Sequence, residues 1–552
     1  MAEHFNAYFT NIGPTLDNKI RRTSTNPISY IKTCCIHNIH LSPCTDLEIG
    51  KIIENLKNCA SGWDNLPAQV LKENKPTLTP LLTHIVNLSL TQRVFPKQLK
   101  VATIIPVFSS GPAGEVGKYR PISLLTAISK NCDRIFCTRL SSFLTKYKIL
   151  YNIQFGFRPN HSTQPVIITL LKQIISYLDK GYFTIGIYLD FSKAFDTVNH
   201  QILLNKLECY GIRGLANKWI TSYLADRQQL TIYNNGKHSN ISQIKCGVPQ
   251  GSILGPILFL IYINDLGTIS NKISTIMFAD DSNIFASEPN LKNIETVLNS
   301  EIPVLIDWLR ANRLSLNVDK RHTMIFGPTR KSKPHKANIQ IEGRTLDIVN
   351  STKFLGVILD SSLNWKNHIL QLTKKIAKSI GIISLARPTV NQKTLIQLYY
   401  SFIFPYLTYC TIIWGKSANT SIWPVYRLQK ITIRLIGNIP RRYSSKAFCK
   451  QQQILRFPKI YVHSVSIFMF KFMNSLLPTT FNKLYRSNRA FHNYPTRNSQ
   501  QLRPPRTRTK LADNFIANQG VKIWNEISTK FDVITSLPVF KHNIKRHLLS
   551  SY

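Results

Sequence analysis

The C-terminal third of the sequence has almost no acidic residues. No Asp or Glu occurs from Ser361 to Ala512, and three follow before the C-terminus, whereas Lys and Arg number 30 from residue 361 onward. This absence excludes a catalytic cluster of metal-binding carboxylates from residues 361–512. The whole chain has 70 Lys and Arg against 28 Asp and Glu, a formal net charge of +42. Because mixed charge would serve solubility better, so basic a protein is expected to bind a polyanion.

Paired cysteine motifs and long apolar runs are also missing. The ten cysteines include no Cys-x-x-Cys pair, and the first ten residues do not resemble a secretory signal. The most apolar stretch, residues 399–414, is shorter than the roughly 20 residues of a membrane span and contains Pro405, so we predict one buried helix there. We therefore expect an intracellular protein, in the nucleus or cytoplasm, with reduced thiols and no membrane partner.

A length of 552 residues predicts roughly three or four packed units. Strands alternate with helices up to about residue 360, which indicates a mixed sheet domain, and helical patterns dominate beyond it. The predicted elements are strands at 101–108 and 182–189, helices at 194–210 and 253–266, a hairpin at 275–285, and helices at 369–385 and 394–404.

Three aspartates occupy positions suited to metal chemistry. Asp190 follows a predicted strand, and Asp280 and Asp281 lie at the tip of the predicted hairpin between apolar segments. A solvated Asp-Asp turn is the commoner meaning of such a pair, but two charges in apolar surroundings call for a metal or a partner. Neighbouring strands of one sheet could bring all three together. Transfer of a nucleotide from its triphosphate uses two divalent cations about 3.5–4 Å apart, and Mg²⁺ prefers carboxylate oxygens.

Short motifs around these aspartates occur in a characteristic order. They are YRPISLL at 119–125, QFGFR at 154–158 followed by HST at 161–163, LDFSKAFD at 189–196, GVPQGS at 247–252, FADD at 278–281, LN at 316–317 with Lys320, and FLGV at 354–357. This series resembles the reverse transcriptases of non-LTR retrotransposons of the jockey and CR1 kind. The resemblance implies an α+β right-hand polymerase with fingers, palm and thumb, extended by a basic C-terminal helical domain.

The resemblance also implies domain limits. Residues 1–94 would be a helical lead-in or linker, 95–360 the fingers and palm, 361–440 a helical thumb, and 441–552 a basic region that binds nucleic acid. The endonuclease that precedes the polymerase in this family is expected to be absent, because residues 1–62 are too few for it. The acid-free span likewise leaves no room for an RNase H domain.

The resemblance also implies functional residues at those positions of this sequence that match the motifs of the family. Asp190, Asp280 and Asp281 would be catalytic, with Asp190 and Asp280 bridging two Mg²⁺ (or Mn²⁺) ions, Asp281 supporting them and the Phe191 carbonyl as a further ligand. The nucleotide-binding residues would be Arg120, Ala194, Phe195, Gln250 and Lys320. Phe195 would act as the gate against a ribose 2′-hydroxyl, which favours deoxynucleotides and disfavours an RNA-dependent RNA polymerase. The implied partners are an RNA template, a DNA primer or target, and dNTPs.

The sequence departs from the family pattern in the fingers. Ser109 and Ser110 stand where relatives usually have a lysine, and residues 129–133 are also altered. Two interpretations stay open: an RNA-directed DNA polymerase, or a drifted remnant with weak or no catalysis that only binds nucleic acid. Separately, five residues could hold zinc, although an ordinary loop is the favoured interpretation: Cys34, Cys35, His37, His40 and Cys44.

Overall fold

The computed structural model describes residues 1–58, 60–234, 236–317, 321–328, 337–490, 499, 501–531 and 536–551. Its helices are α1 Ala2–Lys19, α2 Asp46–Glu54, α3 Ala68–Glu73, α4 Lys75–Gln92, α5 Ala127–Lys146, α6 Thr163–Asp179, α7 His200–Cys209, α8 Leu215–Leu224, α9 Gly255–Tyr262, α10 Leu291–Ala311, α11 Lys366–Ala386, α12 Gln392–Phe402, α13 Phe404–Thr408, α14 Thr411–Trp414, α15 Asn419–Gly437, α16 Lys446–Gln451, α17 Phe457–Met473, α18 Lys510–Asn514, α19 Ile516–Ile527 and α20 Leu537–Ser550. Its strands are β1 Val101–Phe108, β2 Tyr119–Leu124, β3 Phe183–Asp190, β4 Gln228–Tyr233, β5 Lys237–His238, β6 Ser242–Gln243, β7 Ser274–Phe278, β8 Asp281–Glu288, β9 His322–Phe326, β10 Gln340–Ile341, β11 Arg344–Thr345, β12 Ser351–Phe354, β13 Val357–Asp360, β14 Arg486–Ser487 and β15 Leu502–Arg503.

A four-stranded antiparallel sheet in the order β7-β8-β3-β9 forms the centre of the fold. Seven of the eight β3 residues are buried, because helices and loops cover both faces of the sheet. Alternate residues therefore enter different cores: Ile185 and Ile187 contact one cluster, whereas Tyr188 belongs to the cluster that extends into the C-terminal half. Burial on both faces leaves the strand ends as the accessible part of this sheet.

A second sheet has the order β2-β1-β4-β5, with β6 also paired to β4. Helix α1 packs on it through Phe5 and Phe9, which share a small core with Tyr119 of β2. The amide of Asn6 is buried there and donates to Ser242 Oγ and to the Asn240 carbonyl. The N-terminal segment is thus fixed to the sheet that carries the YRPISLL motif.

The helices after residue 360 share one hydrophobic core. Buried residues from Phe354 to Leu549 form a single cluster, which also includes residues of α6 and the central sheet. Helix α17 contacts α13, α14 and α15 and also α19 and α20. The predicted limit at residue 440 therefore falls within a continuous core, and it stays a prediction.

Several sequence predictions are confirmed, and two need correction. The strands at 101–108 and 182–189, the hairpin and the helix at 369–385 are present as β1, β3, β7–β8 and α11. The helix predicted at 194–210 begins only at His200, because Asn199 caps it by accepting from the Ile202 N–H at 3.1 Å. Residues 399–414 do not form one helix. The helical conformation is interrupted at Ile403 and again at Cys410, whose φ is +51°. Within the described part of the chain, no helix is long and apolar enough to cross a membrane.

Candidate active site

Strand pairing brings the first and second acidic motifs together. In the β3–β8 ladder Asp190 is the direct partner of Asp281, and Asp280 lies in the preceding turn. The side chains of two directly paired residues lie on the same face of a sheet. The carboxylates of Asp190 and Asp281 therefore lie side by side on one face, at the end of β3 and the start of β8. Asp281 is exposed, and Asp190 and Asp280 are half-buried. The structure therefore brings the predicted catalytic aspartates to one accessible edge.

The backbone after Asp190 has a hydrogen-bonding pattern that fits a metal ligand. Phe191 pairs with Leu316, and the bonds on either side run from Asn317 N–H to the Asp190 carbonyl (2.8 Å) and from Ser192 N–H to the Ser315 carbonyl (2.9 Å). In such a pair the carbonyl of Phe191 itself faces away from Leu316, toward the side on which β8 begins. The Asn317 amide also donates to Asp190 Oδ2 at 3.2 Å, which orients the carboxylate.

The donor set suits a hard divalent cation bound together with substrate. Among the described residues, no three His, Cys, Asp or Glu side chains are arranged to hold a metal ion by themselves, and this includes the cluster at residues 34–44. Mg²⁺ characteristically takes one or two protein carboxylates and completes its octahedron with water and substrate phosphates. The facing carboxylates of Asp190 and Asp281 and one backbone carbonyl match that requirement, whereas a closed structural site would need more protein ligands.

The side chain of Arg120 is available for an anion. Arg120 is exposed on β2 opposite Val107, and within the described residues its guanidinium makes no hydrogen bond or ion pair. The start of β2 contacts the loop that follows Asp190, because Lys193 Nζ donates to the carbonyls of Gly117 (3.2 Å) and Tyr119 (3.1 Å). An exposed, forked guanidinium is suited to bind a triphosphate.

Another cation lies close to Ser109, which stands where the family pattern has a lysine. The Ser109 N–H donates to the Lys118 carbonyl at 2.9 Å, so the two residues face each other across the β1–β2 ladder. Lys118 is exposed and pairs loosely with Glu115 at 3.6 Å. Lys118, directly before β2, thus places a positive charge close to Ser109 even though residues 109 and 110 are not lysines.

Aromatic side chains hold the predicted gate in place. The Phe195 ring stacks on Phe259 with centroids 4.5 Å apart and meets Phe157 edge-on at 6.1 Å. Phe259 is fully buried, whereas Phe157 is 54% exposed and has a φ of +50°, an uncommon conformation for a bulky residue. Ala194, beside the gate, is buried. Phe195 is therefore half-buried, and its ring packs on the fully buried ring of Phe259 at the surface of the core.

Gln250 makes contacts within the protein that the sequence does not reveal. The side-chain Nε2 of Gln250 donates to Asp196 Oδ1 at 2.8 Å. Its backbone carbonyl accepts from the Ser123 N–H at 2.7 Å. Burial raises the pKa of the Asp196 carboxyl to about 6, while the Gln250 hydrogen bond and the charge of Lys193 act in the opposite direction. Gly251 has a φ of +126°, and a Cβ there would lie 2.5 Å from the Ser123 carbonyl oxygen, so this loop requires glycine.

Lys320 lies outside the described residues, so its role stays a prediction. Sequence reasoning assigned no role to Lys193, Asn317 or Gln154, whose buried Oε1 accepts from the Ala279 N–H in the Asp280 turn. All three lie inside or next to the quoted motifs, which is the one signal that could have found them.

The chain is similar in sequence to several known proteins. Residues 110–359 match the family model described as reverse transcriptase (RNA-dependent DNA polymerase). Similar curated proteins of Drosophila melanogaster include the probable RNA-directed DNA polymerase from transposon BS (29% identity over 422 residues, 72% of this chain and 45% of the relative). The RNA-directed DNA polymerase from mobile element jockey is 26% identical over 423 residues, 74% of this chain and 46% of the relative. The chain thus spans less than half the length of these relatives.

Proposed function

We propose, from the match of residues 110–359 to the reverse transcriptase family model and from the similar transposon polymerases, that the chain is an RNA-directed DNA polymerase of a non-LTR retrotransposon. It would add dNTPs to a primer 3′-hydroxyl with an RNA template. The observation that carries the proposal is the register of Asp190 opposite Asp281, with Asp280 in the adjoining turn. The other interpretation, a remnant that only binds nucleic acid, is less favoured because this edge and the exposed Arg120 are both intact.

The proposed chemistry assigns a role to each part of the site. Asp190, Asp280 and the Phe191 carbonyl would hold two divalent cations, Mg²⁺ or Mn²⁺, with Asp281 in support. When bound, such ions activate the 3′-hydroxyl and stabilise the pyrophosphate leaving group. Arg120 would bind the triphosphate by charge-assisted hydrogen bonds. Lys320 would lie near the leaving group.

The specificity roles fall to the residues between the two sheets. The fixed ring of Phe195 would exclude a 2′-hydroxyl from the sugar position, with Ala194 beside it. Gln250, whose amide nitrogen donates to Asp196, would present its amide oxygen or backbone to the incoming nucleotide or the template. In this interpretation the β2-β1-β4-β5 sheet belongs to the fingers, the β7-β8-β3-β9 sheet to the palm, and α11–α15 to the thumb.

A basic groove beside Gly251 supports a single-stranded template as partner. The groove has a volume of about 660 Å³, and its cationic lining residues are Lys51, Lys57, Lys130 and Arg134, while none of the described lining residues is acidic. Apolar side chains such as Leu56, Leu125 and Ile253 also line the groove, which suits bases as well as phosphates. Gly251 connects this groove to the loop that carries Gln250. A template strand approaching the nucleotide pocket would therefore lie here.

Charge reversal in the groove should weaken template binding selectively. We expect Lys57→Glu with Arg134→Glu to raise the Kd for a primer–template with a long 5′ RNA overhang roughly 10–30-fold, since each lost phosphate contact is worth about 1 kcal/mol. A primer–template with one overhanging nucleotide should bind almost as before. Fluorescence anisotropy at fixed salt measures both. The control, Lys218→Glu with Lys292→Glu, makes the same charge change at exposed residues outside the groove. An equal loss for both substrates would exclude the groove as the template path.

The C-terminal region would hold the phosphate backbone without reading sequence. Deleting residues 441–552 is a poor test, because it would remove α17, α19 and α20 from a shared core. Neutralising exposed cations is cleaner. We expect the slope of log K against log salt for RNA binding to become shallower by up to ~0.7–0.9 for each lost contact when four residues are changed to Gln. These residues are Arg441, Arg442, Lys446 and Lys450.

A matched set separates a local effect from total charge. Four exposed lysines in the first two thirds of the chain can be changed to Gln together: Lys218, Lys237, Lys245 and Lys292. Their substitution removes the same charge and should leave the slope nearly unchanged. Equal slopes for the two sets would show that overall charge, and not the C-terminal region, sets the salt dependence.

Primer extension tests the proposed function directly. The purified chain is incubated with a DNA primer on an RNA template, dNTPs and Mg²⁺ or Mn²⁺, and product length is followed on a gel. Extension that depends on both template and metal is the expected result. Binding of the primer–template without extension under either metal would support the binding-only remnant instead.

A further inference from the structure

The turn that carries Asp280 contains a residue in an unfavourable conformation. Strand β7 ends at Phe278 and β8 begins at Asp281, so Ala279 and Asp280 alone make the connection. Ala279 has a φ of +55°, in the left-handed region that costs an alanine roughly 1–2 kcal/mol. Ala279 has no polar side chain that could stabilise this turn, so the stabilisation comes from elsewhere. The position of Asp280 depends on the orientation of the Ala279 peptide.

Gln154 supplies the contact that fixes this peptide. Its side chain is 1% exposed, and its Oε1 accepts from the Ala279 N–H at 3.0 Å and from the Gly156 N–H at 2.8 Å. A Cβ at Gly156 would lie 2.4 Å from the Ala279 nitrogen, so the two backbones are in direct contact. Two N–H groups from different segments therefore meet at one buried oxygen.

The segment around Gln154 is itself held against the central sheet. The Phe155 N–H donates to the Met277 carbonyl at 2.9 Å, and the Met277 N–H donates to the Ile153 carbonyl at 3.1 Å. Arg158 then closes the loop by donating from Nη1 to the carbonyls of Tyr151 (2.9 Å) and Gln154 (3.0 Å). The acceptor oxygen of Gln154 thus has little freedom to move relative to β7.

We propose that Gln154 is a positioning residue that sets the turn so that Asp280 is placed where, together with Asp190, it would hold the divalent cations. The inference rests on the proposed polymerase function for its catalytic consequence, but the effect on the turn does not require that function. Without the acceptor, the Ala279 peptide can rotate toward a more common conformation and carry Asp280 with it. Catalytic geometry is sensitive to such shifts, since a misplacement of about 1 Å can cost roughly a hundredfold in rate.

The test compares three variants of the full chain. Gln154→Met is close in size and has no acceptor, Gln154→Glu keeps a carbonyl oxygen at the same distance, and Gln229→Met removes a different buried glutamine that donates to Asn6. Mn²⁺ affinity is measured by electron paramagnetic resonance without substrate, alongside kcat and KM for dNTP. For Gln154→Met we expect kcat to fall roughly 10–100-fold with KM changed less than about threefold, and Mn²⁺ to bind about tenfold more weakly. Gln154→Glu should recover most of both, and Gln229→Met should alter neither.

The outcomes distinguish positioning from general stability and from the function itself. Wild-type Mn²⁺ affinity in Gln154→Met overturns the proposal, whatever the activity of that variant. If Gln154→Met does not fold, Gln154→Asn, whose amide ends one methylene short of Ala279, gives the same comparison. Failure of the unmodified chain to extend a primer would count against the polymerase function, and the Mn²⁺ measurement would still decide the role of Gln154.

Discussion

Asp190→Asn is expected to lower the primer-extension rate by at least about a thousandfold while the protein still folds and binds RNA. A metal-bound carboxylate contributes several kcal/mol to the stabilisation of transition-state charge, and each 1.36 kcal/mol is tenfold in rate. Asp280→Asn should have a comparable effect. Asp281→Asn should be milder, roughly 10–100-fold, because Asp281 is the exposed member of the pair and is predicted to support the ions rather than bridge them. Single-turnover extension measures all three.

Stability distinguishes a catalytic loss from a folding defect. Asp190 and Asp281 are direct partners across the ladder, and like charges so placed weaken a sheet by roughly 0.2–1 kcal/mol. The Asn variants should therefore melt at or slightly above the temperature of the unmodified protein. Asp226→Asn, at an exposed loop position that accepts from Gln243, is the matched control and should keep full activity. If the Asp190→Asn variant kept its activity, the assignment of Asp190 as a metal ligand would be wrong.

Phe195→Val is expected to raise ribonucleotide incorporation relative to deoxynucleotide incorporation by roughly 10–100-fold. The ring is fixed between Phe259 and Phe157, so a 2′-hydroxyl would meet a surface that cannot retreat. Forcing an extra atom into a packed site typically costs about 1–3 kcal/mol, which is the source of that range. The measurement is kcat/KM for rNTP and dNTP on the same primer–template, so each preparation serves as its own reference.

A second substitution tests whether the support of the ring matters. Phe259→Leu leaves Phe195 in place but removes its stacking partner, so discrimination should fall by less than in Phe195→Val. If Phe195→Val leaves the ratio unchanged while dNTP incorporation persists, Phe195 is not the gate. If Phe259→Leu relaxes discrimination more than Phe195→Val does, the gate depends on the shape of the pocket rather than on this ring.

The sequence predicted the parts of the candidate site in which a chemically distinctive residue lies on a locally recognisable element. Asp190 at a strand end and Asp280 and Asp281 at a hairpin tip could be placed because strand alternation and apolar flanks are local features. The helix predicted from Ala194 was wrong over its first turns, since the loop between Asp190 and Asn199 takes its shape from Lys193, whose φ is +49° and whose ammonium binds the β2 segment. That contact joins residues more than 70 positions apart in sequence, which no periodicity encodes.

The sequence by itself determined that nearly all acidic residues lie in the first two thirds of this chain and that the last third is strongly basic, because residue type and charge are properties of the chain alone. It also determined the strand and the hairpin that carry the aspartates. Only the tertiary structure decided that Asp281 and not Asp280 stands directly opposite Asp190, that Gln154 accepts from the Ala279 N–H in the turn between β7 and β8, and that the core runs unbroken past residue 440. Register and long-range packing are set by which surfaces meet, and that depends on the whole chain being folded at once.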